Sequence, residues 1–323
     1  MPEINMQRIV VVGGGTGTYQ VLTALKSYAV ELSAIVTTAD SGGSSGVLRS
    51  EFGVLPPGDI VRAMVALAED SGIMKELMNY RFDAGIGLTG HRFGNLLLTA
   101  LRDIVGSEEN AILEAAKLLK LRGAVYPVTL DKVQLCAELE DGTIIKGESA
   151  IDKPAHSPRA AIRRVWLEPA AHAYYTAVRA LERADGIVLG PGDLYSSVIP
   201  NLLVSGIPEA IASSTAKKIY VCNLMTKHGE TDGFDVHDFV RTLCRYLSPA
   251  TLDLVIYNTA PISEQMRERY RLENSKPVEQ NLAELKIESI GAPLVRETDI
   301  VRHDGAALAK LIVDYLARPV AKT

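Results

Sequence analysis

Five residues near the N-terminus have the types and spacing to bind phosphate: Gly13, Gly14, Gly15, Thr16 and Gly17. They follow a β-branched run at residues 8–12, and Val21, Leu22 and Leu25 behind them recur at helical spacing. Glycines in such a turn let bare backbone approach a ligand, and the free N–H groups that begin the helix favour an anion. The segment predicts a strand, a phosphate-binding turn and a helix.

Two sharper versions of this motif are absent. Thr18 stands where the dinucleotide fingerprint would need its third glycine, and no Gly-Lys-Ser/Thr sequence follows to form a Walker A loop. A tight turn that serves only packing is the alternative interpretation.

A second polar loop follows the next predicted strand, residues 31–38, and contains Asp40, Ser44 and Ser45. Small hydroxyl residues and flexible backbone beside one acid suit an oxyanion or a hydrated metal ion. Asp40 is expected at the carboxyl end of its strand, which is where ligands bind in open α/β sheets. The alternative is a mobile surface loop rich in glycine and serine.

Three further candidates lie in the segment that follows. Asp59 comes directly after two prolines and is placed to cap the next helix. His91 and Asn95 are four residues apart, so a helix would carry them on one face. A lone histidine is as often a packed or exposed bystander as a functional group.

The second half of the chain repeats the pattern of polar strand ends. The predicted strand at residues 186–189 runs into a turn that contains Gly190, Gly192, Asp193 and Ser196, and Asn223 follows the strand at 218–222. Strand ends of a parallel sheet share one edge, so these groups are expected to converge on the Gly13 loop. The amide of Asn223 suits the reading of a base or a sugar, although the residue could simply begin the turn toward Gly229.

Buried-strand runs that alternate with helical segments predict an α/β fold with a Rossmann-like, mostly parallel sheet. Apolar residues at helical spacing indicate a helical insertion over about residues 60–122, and Glu140-Asp141-Gly142-Thr143 predicts a hairpin within a small antiparallel element. We expect one nucleotide-binding domain over residues 1–323.

Composition excludes several classes of protein. A net charge of −5 with no basic cluster argues against a nucleic-acid-binding protein. Cys136, Cys222 and Cys244 lie too far apart for a zinc motif, and their number favours a reducing cytoplasm. No run of 18 apolar residues and no basic-then-apolar leader occur, so we expect neither a membrane span nor secretion. The composition leaves room for a homo-oligomer and identifies no protein partner.

Taken together, the motifs resemble the YvcK-like branch of the CofD-like family, whose members are often called gluconeogenesis factors. The resemblance runs nearly end to end through blocks at residues 13–17, 39–46, 55–59, 90–95, 126–129, 189–201 and 223–226. It implies a Rossmann-like fold that binds UDP-N-acetylglucosamine, and a cytoplasmic role in growth on gluconeogenic carbon and in cell-wall shape.

The resemblance also implies an alternative function. Distant enzyme relatives move a phospholactyl group from a guanosine diphosphate donor to a deazaflavin precursor. In such a transferase Asp40 and Asp59 would hold Mg²⁺ on a diphosphate, and His91 would assist the acceptor hydroxyl. Many relatives carry two acids where this chain has Asp40-Ser41, and one carboxylate holds Mg²⁺ less firmly than two. A nucleotide-sugar sensor and a transferase are both open, and a dehydrogenase is disfavoured by the incomplete fingerprint.

Overall fold

The computed structural model describes residues 6–69, 72–154, 159–247 and 252–319. Within these ranges, seven strands form the main sheet: β1 (Gln7–Gly13), β2 (Val30–Val36), β3 (Ala124–Pro127), β7 (Gly186–Leu189), β8 (Lys217–Val221), β9 (Leu254–Asn258) and β10 (Glu288–Ala292). All neighbouring pairs are parallel, in the order β10-β9-β8-β7-β1-β2-β3. The predicted α/β fold with a Rossmann-like parallel sheet is confirmed.

Both faces of this sheet are buried, as its continuous β-branched strands require. Along β1, Ile9 and Val11 pack into one apolar cluster, and Val10 and Val12 pack into the other, because successive side chains point to opposite faces. The chain proceeds from β1 to β2 and β3 on one side and returns to β7 on the other side of β1. The crevice at this reversal is where an open α/β sheet binds ligands.

Helices cover the sheet. In the described residues they are α1 (Gly15–Leu25), α2 (Gly43–Phe52), α3 (Gly58–Leu67), α4 (Ile73–Asn79), α5 (Phe93–Val105), α6 (Glu108–Leu118), α7 (Glu148–Asp152), α8 (Tyr175–Arg183), α9 (Ile199–Leu202), α10 (Ile207–Ser213), α11 (Val236–Cys244), α12 (Glu264–Leu272) and α13 (Gly305–Leu316). A π-helical turn at Leu194–Val198 precedes α9.

The predicted helical insertion is present between β2 and β3. It consists of α3 to α6, but residues 80–92 are not helical. Gly85, Gly87 and Gly90 in this segment have positive φ, which a continuous helix does not accommodate. This loop therefore interrupts the helical insertion that was predicted over about residues 60–122.

Two small antiparallel sheets complete the described fold. One has the order β5-β4-β6, formed by β4 (Gln134–Leu139), β5 (Ile144–Lys146) and β6 (Ile162–Glu168). The predicted hairpin joins β4 to β5, and α7 follows directly, so the hairpin delivers this helix to the ligand edge of the main sheet. The other sheet pairs β11 (Val295–Glu297) with β12 (Val301–His303). Among the described helices, none has the length and apolar character needed to cross a bilayer.

Candidate functional site

A cleft of about 580 Å³ opens at the carboxyl ends of β1, β7 and β8, where the strand order reverses. We call it the main cleft. Its lining includes residues from both predicted glycine turns and from the end of β8: Gly15, Thr16, Gly17, Gly192, Asp193, Ser197 and Asn223. The structure therefore brings together three of the polar strand ends that the sequence singled out.

The first glycine turn presents the beginning of α1 to the main cleft. Gly15 has φ +68°, a conformation that residues with a Cβ rarely adopt. A Cβ built there would have only two neighbours within 4 Å among the described residues, Ser197 Oγ at 3.5 Å and Arg62 Nη1 at 3.9 Å. The N-cap residue Gly14 has no side chain, and the Asp59 carboxylate accepts the N–H of Gly15, so Thr16 and Gly17 carry the N–H groups left for a ligand. Thr16 and Gly17 thus stand at a helix start whose backbone N–H groups and dipole favour an anion.

The other glycines of the two turns serve packing. A Cβ on Gly13 would lie 2.6 Å from Thr18 Oγ1, one on Gly14 would lie 2.5 Å from Asp59 Oδ2, and one on Gly17 would collide with the Pro191 carbonyl oxygen. Gly190 has φ +73° and donates its N–H to Val12 O within the sheet. Close packing therefore requires glycine at positions 13, 14 and 17, whereas the position of a Cβ on Gly15 is open toward the cleft.

Asp59 caps a different helix from the one expected. Its carboxylate lies in the first turn of α3 but accepts the N–H of Gly15, at 3.0 Å, from the start of α1. Arg62 on the next turn pairs with the same oxygen at 3.1 Å. Burial raises the pKa of Asp59 despite this pairing, and the neighbouring Asp40 carboxylate raises it further.

A smaller cavity of about 290 Å³ adjoins the main cleft and shares six lining residues with it: Gly15, Thr16, Asp152, Asp193, Ser197 and Lys227. We call it the acidic compartment. Five carboxyl residues line it, from four separate segments of the chain: Asp40, Asp59, Glu148, Asp152 and Asp193. Two cations, Arg62 and Lys227, also line it. Carboxylates therefore outnumber cations directly beside the predicted phosphate turn.

Glu148 has a raised pKa in this group of carboxylates. Burial raises its pKa to about 8, and the Asp40 and Asp152 carboxylates add to the rise. The hydrogen bond that Glu148 accepts from Ser41 N, at 3.4 Å, opposes the shift but does not offset it. A divalent cation would relieve this repulsion, and Mg²⁺ is a hard ion that prefers oxygen ligands. Among the described residues at this edge, Asp152, Asp193 and Glu230 have carboxylate oxygens within 4.8 Å of one another, whereas Asp40, Asp59 and Glu148 do not form such a group.

Lys227 places a positive charge beside two carboxylates of the acidic compartment, Asp152 and Asp193. Its ammonium nitrogen lies 2.9 Å from Asp152 Oδ1 and 3.5 Å from Asp193 Oδ2, and these carboxylates hold its pKa above the ordinary value although burial opposes them. The buried carboxylate of Glu230 accepts hydrogen bonds from Tyr195 N and from Ser196 Oγ. The hydroxyl of Ser196 is therefore engaged by Glu230, whereas Ser197 is the serine that lines both cavities.

Hydrogen-bonding side chains line the far end of the main cleft. Asn223 stands two residues after the end of β8, and its Oδ1 is buried with no hydrogen-bond partner in the described residues. His303 at the end of β12 lies 3.2 Å through Nε2 from Cys222 O, and burial lowers its pKa to about 4. It is therefore neutral near pH 7, with Nε2 as the donor. Tyr270 and Arg302 complete this end of the lining.

Seven predicted site residues line neither cavity. They are the turn glycines Gly13, Gly14 and Gly190, and the polar residues Ser44, Ser45, His91 and Asn95. The second polar loop was expected over residues 39–49, but helix α2 begins at Gly43, and its first turn buries both serines. His91 precedes α5, so it does not share a helical face with Asn95 as expected, yet both contact Ser44 Oγ at 3.1 Å. This buried cluster fixes α2 against α5, and the catalytic role expected for His91 has no geometric support.

Sequence reasoning missed Glu148, Asp152, Lys227 and Glu230. Glu148 and Asp152 are four residues apart and share a face of α7, which was a readable signal. Lys227 and Glu230 follow Asn223 in the loop after β8. Helix α7 follows a hairpin of a separate small sheet. The sequence does not indicate that this helix reaches the edge of the main sheet.

Comparison with known proteins agrees with this architecture. The family model described as 2-phospho-L-lactate transferase CofD matches residues 9–298. The gluconeogenesis factor of Halalkalibacterium halodurans is 40% identical, over 95% of this chain and 96% of that protein. The gluconeogenesis factor of Bacillus subtilis is 39% identical, over 96% of this chain and 98% of that protein.

A solved structure supports the same conclusion. The crystal structure of a member of the upf0052 family from Bacillus halodurans superposes with a TM-score of 0.91 at 40% identity, and covers 96% of this chain and 99% of that one. Fold, sequence and family model agree over almost the whole length. This chain belongs to the CofD-like family, in the YvcK-like branch of gluconeogenesis factors.

Proposed function

We propose that the main cleft binds UDP-N-acetylglucosamine and that the chain acts as a nucleotide-sugar-responsive regulator. The observation that carries the proposal is the buried, unpartnered Oδ1 of Asn223, which lines the same cleft as the open start of α1. A buried acceptor without a donor costs free energy, and the N3–H of uracil is a donor of the required kind. From its family membership we also propose that this chain acts in the cytoplasm. There it would have the role of the gluconeogenesis factors in growth on gluconeogenic carbon and in cell shape.

The arrangement of charges supports a diphosphate between the two ends. Thr16 and Gly17 offer a helix start at one end, and Ser197 at the π-helical turn offers a hydroxyl on the border between the two cavities. With the base near Asn223 and the diphosphate at α1, the sugar would extend toward the acidic compartment. Hydroxyl groups are good partners for carboxylates, which accept hydrogen bonds and donate none when ionised.

A divalent ion would complete this site. Asp40 and Asp59 are the ligands predicted from the sequence, and Asp152, Asp193 and Glu230 are the acids whose oxygens lie within 4.8 Å of one another. Mg²⁺ held at this edge would neutralise charge on the diphosphate. Without it, the carboxylates of the acidic compartment would repel a phosphate. We therefore propose that the ligand enters as its Mg²⁺ complex.

Titration calorimetry of the purified chain with UDP-N-acetylglucosamine and Mg²⁺ tests the proposal, with guanosine diphosphate as the matched comparison. We expect one saturable site that prefers the uridine ligand, and at 100 times its Kd a stabilisation of about 2.7 kcal/mol in thermal unfolding. An absence of saturable binding, or equal affinity for both nucleotides, would contradict the assignment.

A second candidate function is transfer of a phospholactyl-type group from a nucleoside diphosphate donor. The acidic compartment favours it, because burial and the neighbouring carboxylates raise the pKa of Glu148 to about 8, so that this side chain could exchange a proton near neutral pH. Against it, His91 lies outside the cavities, and the Oγ of Ser41, which replaces a second acid, is engaged by Ser149 N at 3.0 Å. We therefore rank regulated binding above transfer.

A further inference from the structure

A separate cleft of about 470 Å³ lies at the opposite edge of the main sheet, between α8 and the amino-terminal halves of β1 and β2. It shares no lining residue with the main cleft or with the acidic compartment. Nothing in the proposed nucleotide binding uses it. We call it the amino-edge cleft.

Polar residues of β1, β2 and β3 line this cleft. Arg8 pairs in register with Glu31, Val10 pairs with Ser33, and Tyr126 lies on β3 beside Ile35. Central strands of a parallel sheet are normally continuous apolar runs because helices cover both faces. Here α8 leaves the sheet partly uncovered, and the side chains are those that tolerate water or a polar guest.

Two arginines on α8 face the amino-edge cleft without partners. Arg179 and Arg183 are four residues apart, line the cleft, and make no hydrogen bond or ion pair with any described residue. Arg8 differs, because Asp185 neutralises it at 3.1 Å. Glu31, the acid in the lining, forms no ion pair with either arginine.

Helix stability does not explain this pair. Like charges at i and i+4 destabilise a helix by a few tenths of a kcal/mol. The last-turn position of Arg183 gains from the helix dipole, but Arg179 lies a full turn earlier, where that gain has faded. In a chain with a net charge of −5, two uncompensated guanidinium groups on one side of a cavity therefore point to an anion.

We propose that the amino-edge cleft binds the phosphate ester of a small polyol or sugar, held by Arg179 and Arg183. Guanidinium groups bind phosphate in a bidentate manner, and Ser33 and Thr176 offer hydroxyls for the remainder of the molecule. Tyr126 and Tyr175 supply rings on which a sugar face can pack. This second site would let the chain respond to a phosphorylated metabolite independently of the nucleotide.

The experiment uses glucose 6-phosphate as the probe, with glucose and inorganic phosphate as separate arms. Calorimetry compares the unmodified chain with the double variant Arg179→Gln/Arg183→Gln and with a matched control, Arg241→Gln/Arg245→Gln. The control removes two arginines of the same spacing from the end of α11, and neither residue lines a cavity described above. Arg179 and Arg183 are exposed and unpaired, so their replacement leaves the fold intact.

We expect saturable binding of glucose 6-phosphate, weakened roughly tenfold or more in the α8 variant and unchanged in the α11 variant. Weak binding of phosphate and none of glucose would identify the ester as the anchor. Hydrogen exchange should show protection in α8 and at the start of β1. No saturable binding, an equal loss in both double variants, or protection confined to α1 and the Gly190 turn would overturn the proposal.

Discussion

Substitution of Asn223 is the most direct test of the proposed nucleotide site. It lies at a strand end, it lines the main cleft, and its amide oxygen has no partner among the described residues. We predict that Asn223→Ala weakens UDP-N-acetylglucosamine by about 1 to 3 kcal/mol, because a buried donor on the ligand loses its acceptor. That is roughly a five- to hundredfold rise in Kd.

Calorimetry measures this loss, and Asn79→Ala on the exposed surface of α4 is the matched control. The melting temperature of the free Asn223→Ala protein should hardly change, since the amide oxygen stabilises nothing in the free chain. Wild-type affinity in this variant would show that the base is recognised elsewhere.

Glu230 gives a prediction about pH. Burial raises its pKa to about 8 from an ordinary value of 4.5, so the folded chain keeps a proton that the unfolded chain releases. The free energy of unfolding should therefore fall as pH rises between about 4.5 and 8. Glu230→Gln should flatten this fall, because the amide can still accept from Tyr195 N and can donate to Ser196 Oγ.

Urea denaturation at several pH values in that window measures the effect. Glu140→Gln, at an exposed turn of the predicted hairpin, is the control and should leave the slope of the unmodified chain unchanged. If both variants kept that slope, Glu230 would not be the group that titrates.

At the scale of the element, the start of α1 is the part whose geometry is most demanding. Gly15 and Gly43 both occupy the first position of a helix with positive φ, and neither has an atom closer than 3.5 Å where a Cβ would stand. Alanine at either position should cost about 1 to 2 kcal/mol of stability, because an L-residue is strained in this conformation. Only Gly15 lines the main cleft.

We therefore predict that Gly15→Ala weakens the binding of UDP-N-acetylglucosamine, whereas Gly43→Ala destabilises the chain without changing affinity. Thermal unfolding gives the stability of each variant, and calorimetry gives its affinity. An equal effect of the two variants on affinity would mean that the start of α1 does not contact the phosphates.

The strands and helices also show which parts of the site can be predicted from the sequence. The apolar runs and their glycine turns predict β1, β7 and β8, and parallel pairing then places Gly15, Gly192 and Asn223 at one edge without further information. His91 was misplaced because helix α5 begins two residues later than the pattern indicated. Glu148 was missed because its position depends on how a small sheet packs against a large one, and local periodicity does not encode that packing.

At the scale of the whole molecule, the two edges of the main sheet divide the chemistry. The carboxyl edge has glycine turns, carboxylates and Lys227, which suit a nucleotide with a divalent ion. The amino edge has two unpaired arginines and hydroxyls, which suit a phosphate ester. The strands between them are buried on both faces, so a change at one edge could reach the other only through a rigid, close-packed sheet.

This division bears on whether the chain is an enzyme. Transfer of a phospholactyl group needs a donor, an acceptor and a base in one cavity, and His91 is buried at 9% exposure against Ser44 instead. We predict no product above the no-protein control when the chain is incubated with guanosine diphospholactate, Mg²⁺ and a deazaflavin acceptor. The same preparation should bind UDP-N-acetylglucosamine, which shows that it is competent. Product that depends on the chain, and that Glu148→Gln removes, would instead make Glu148 the base and the acidic compartment a catalytic centre.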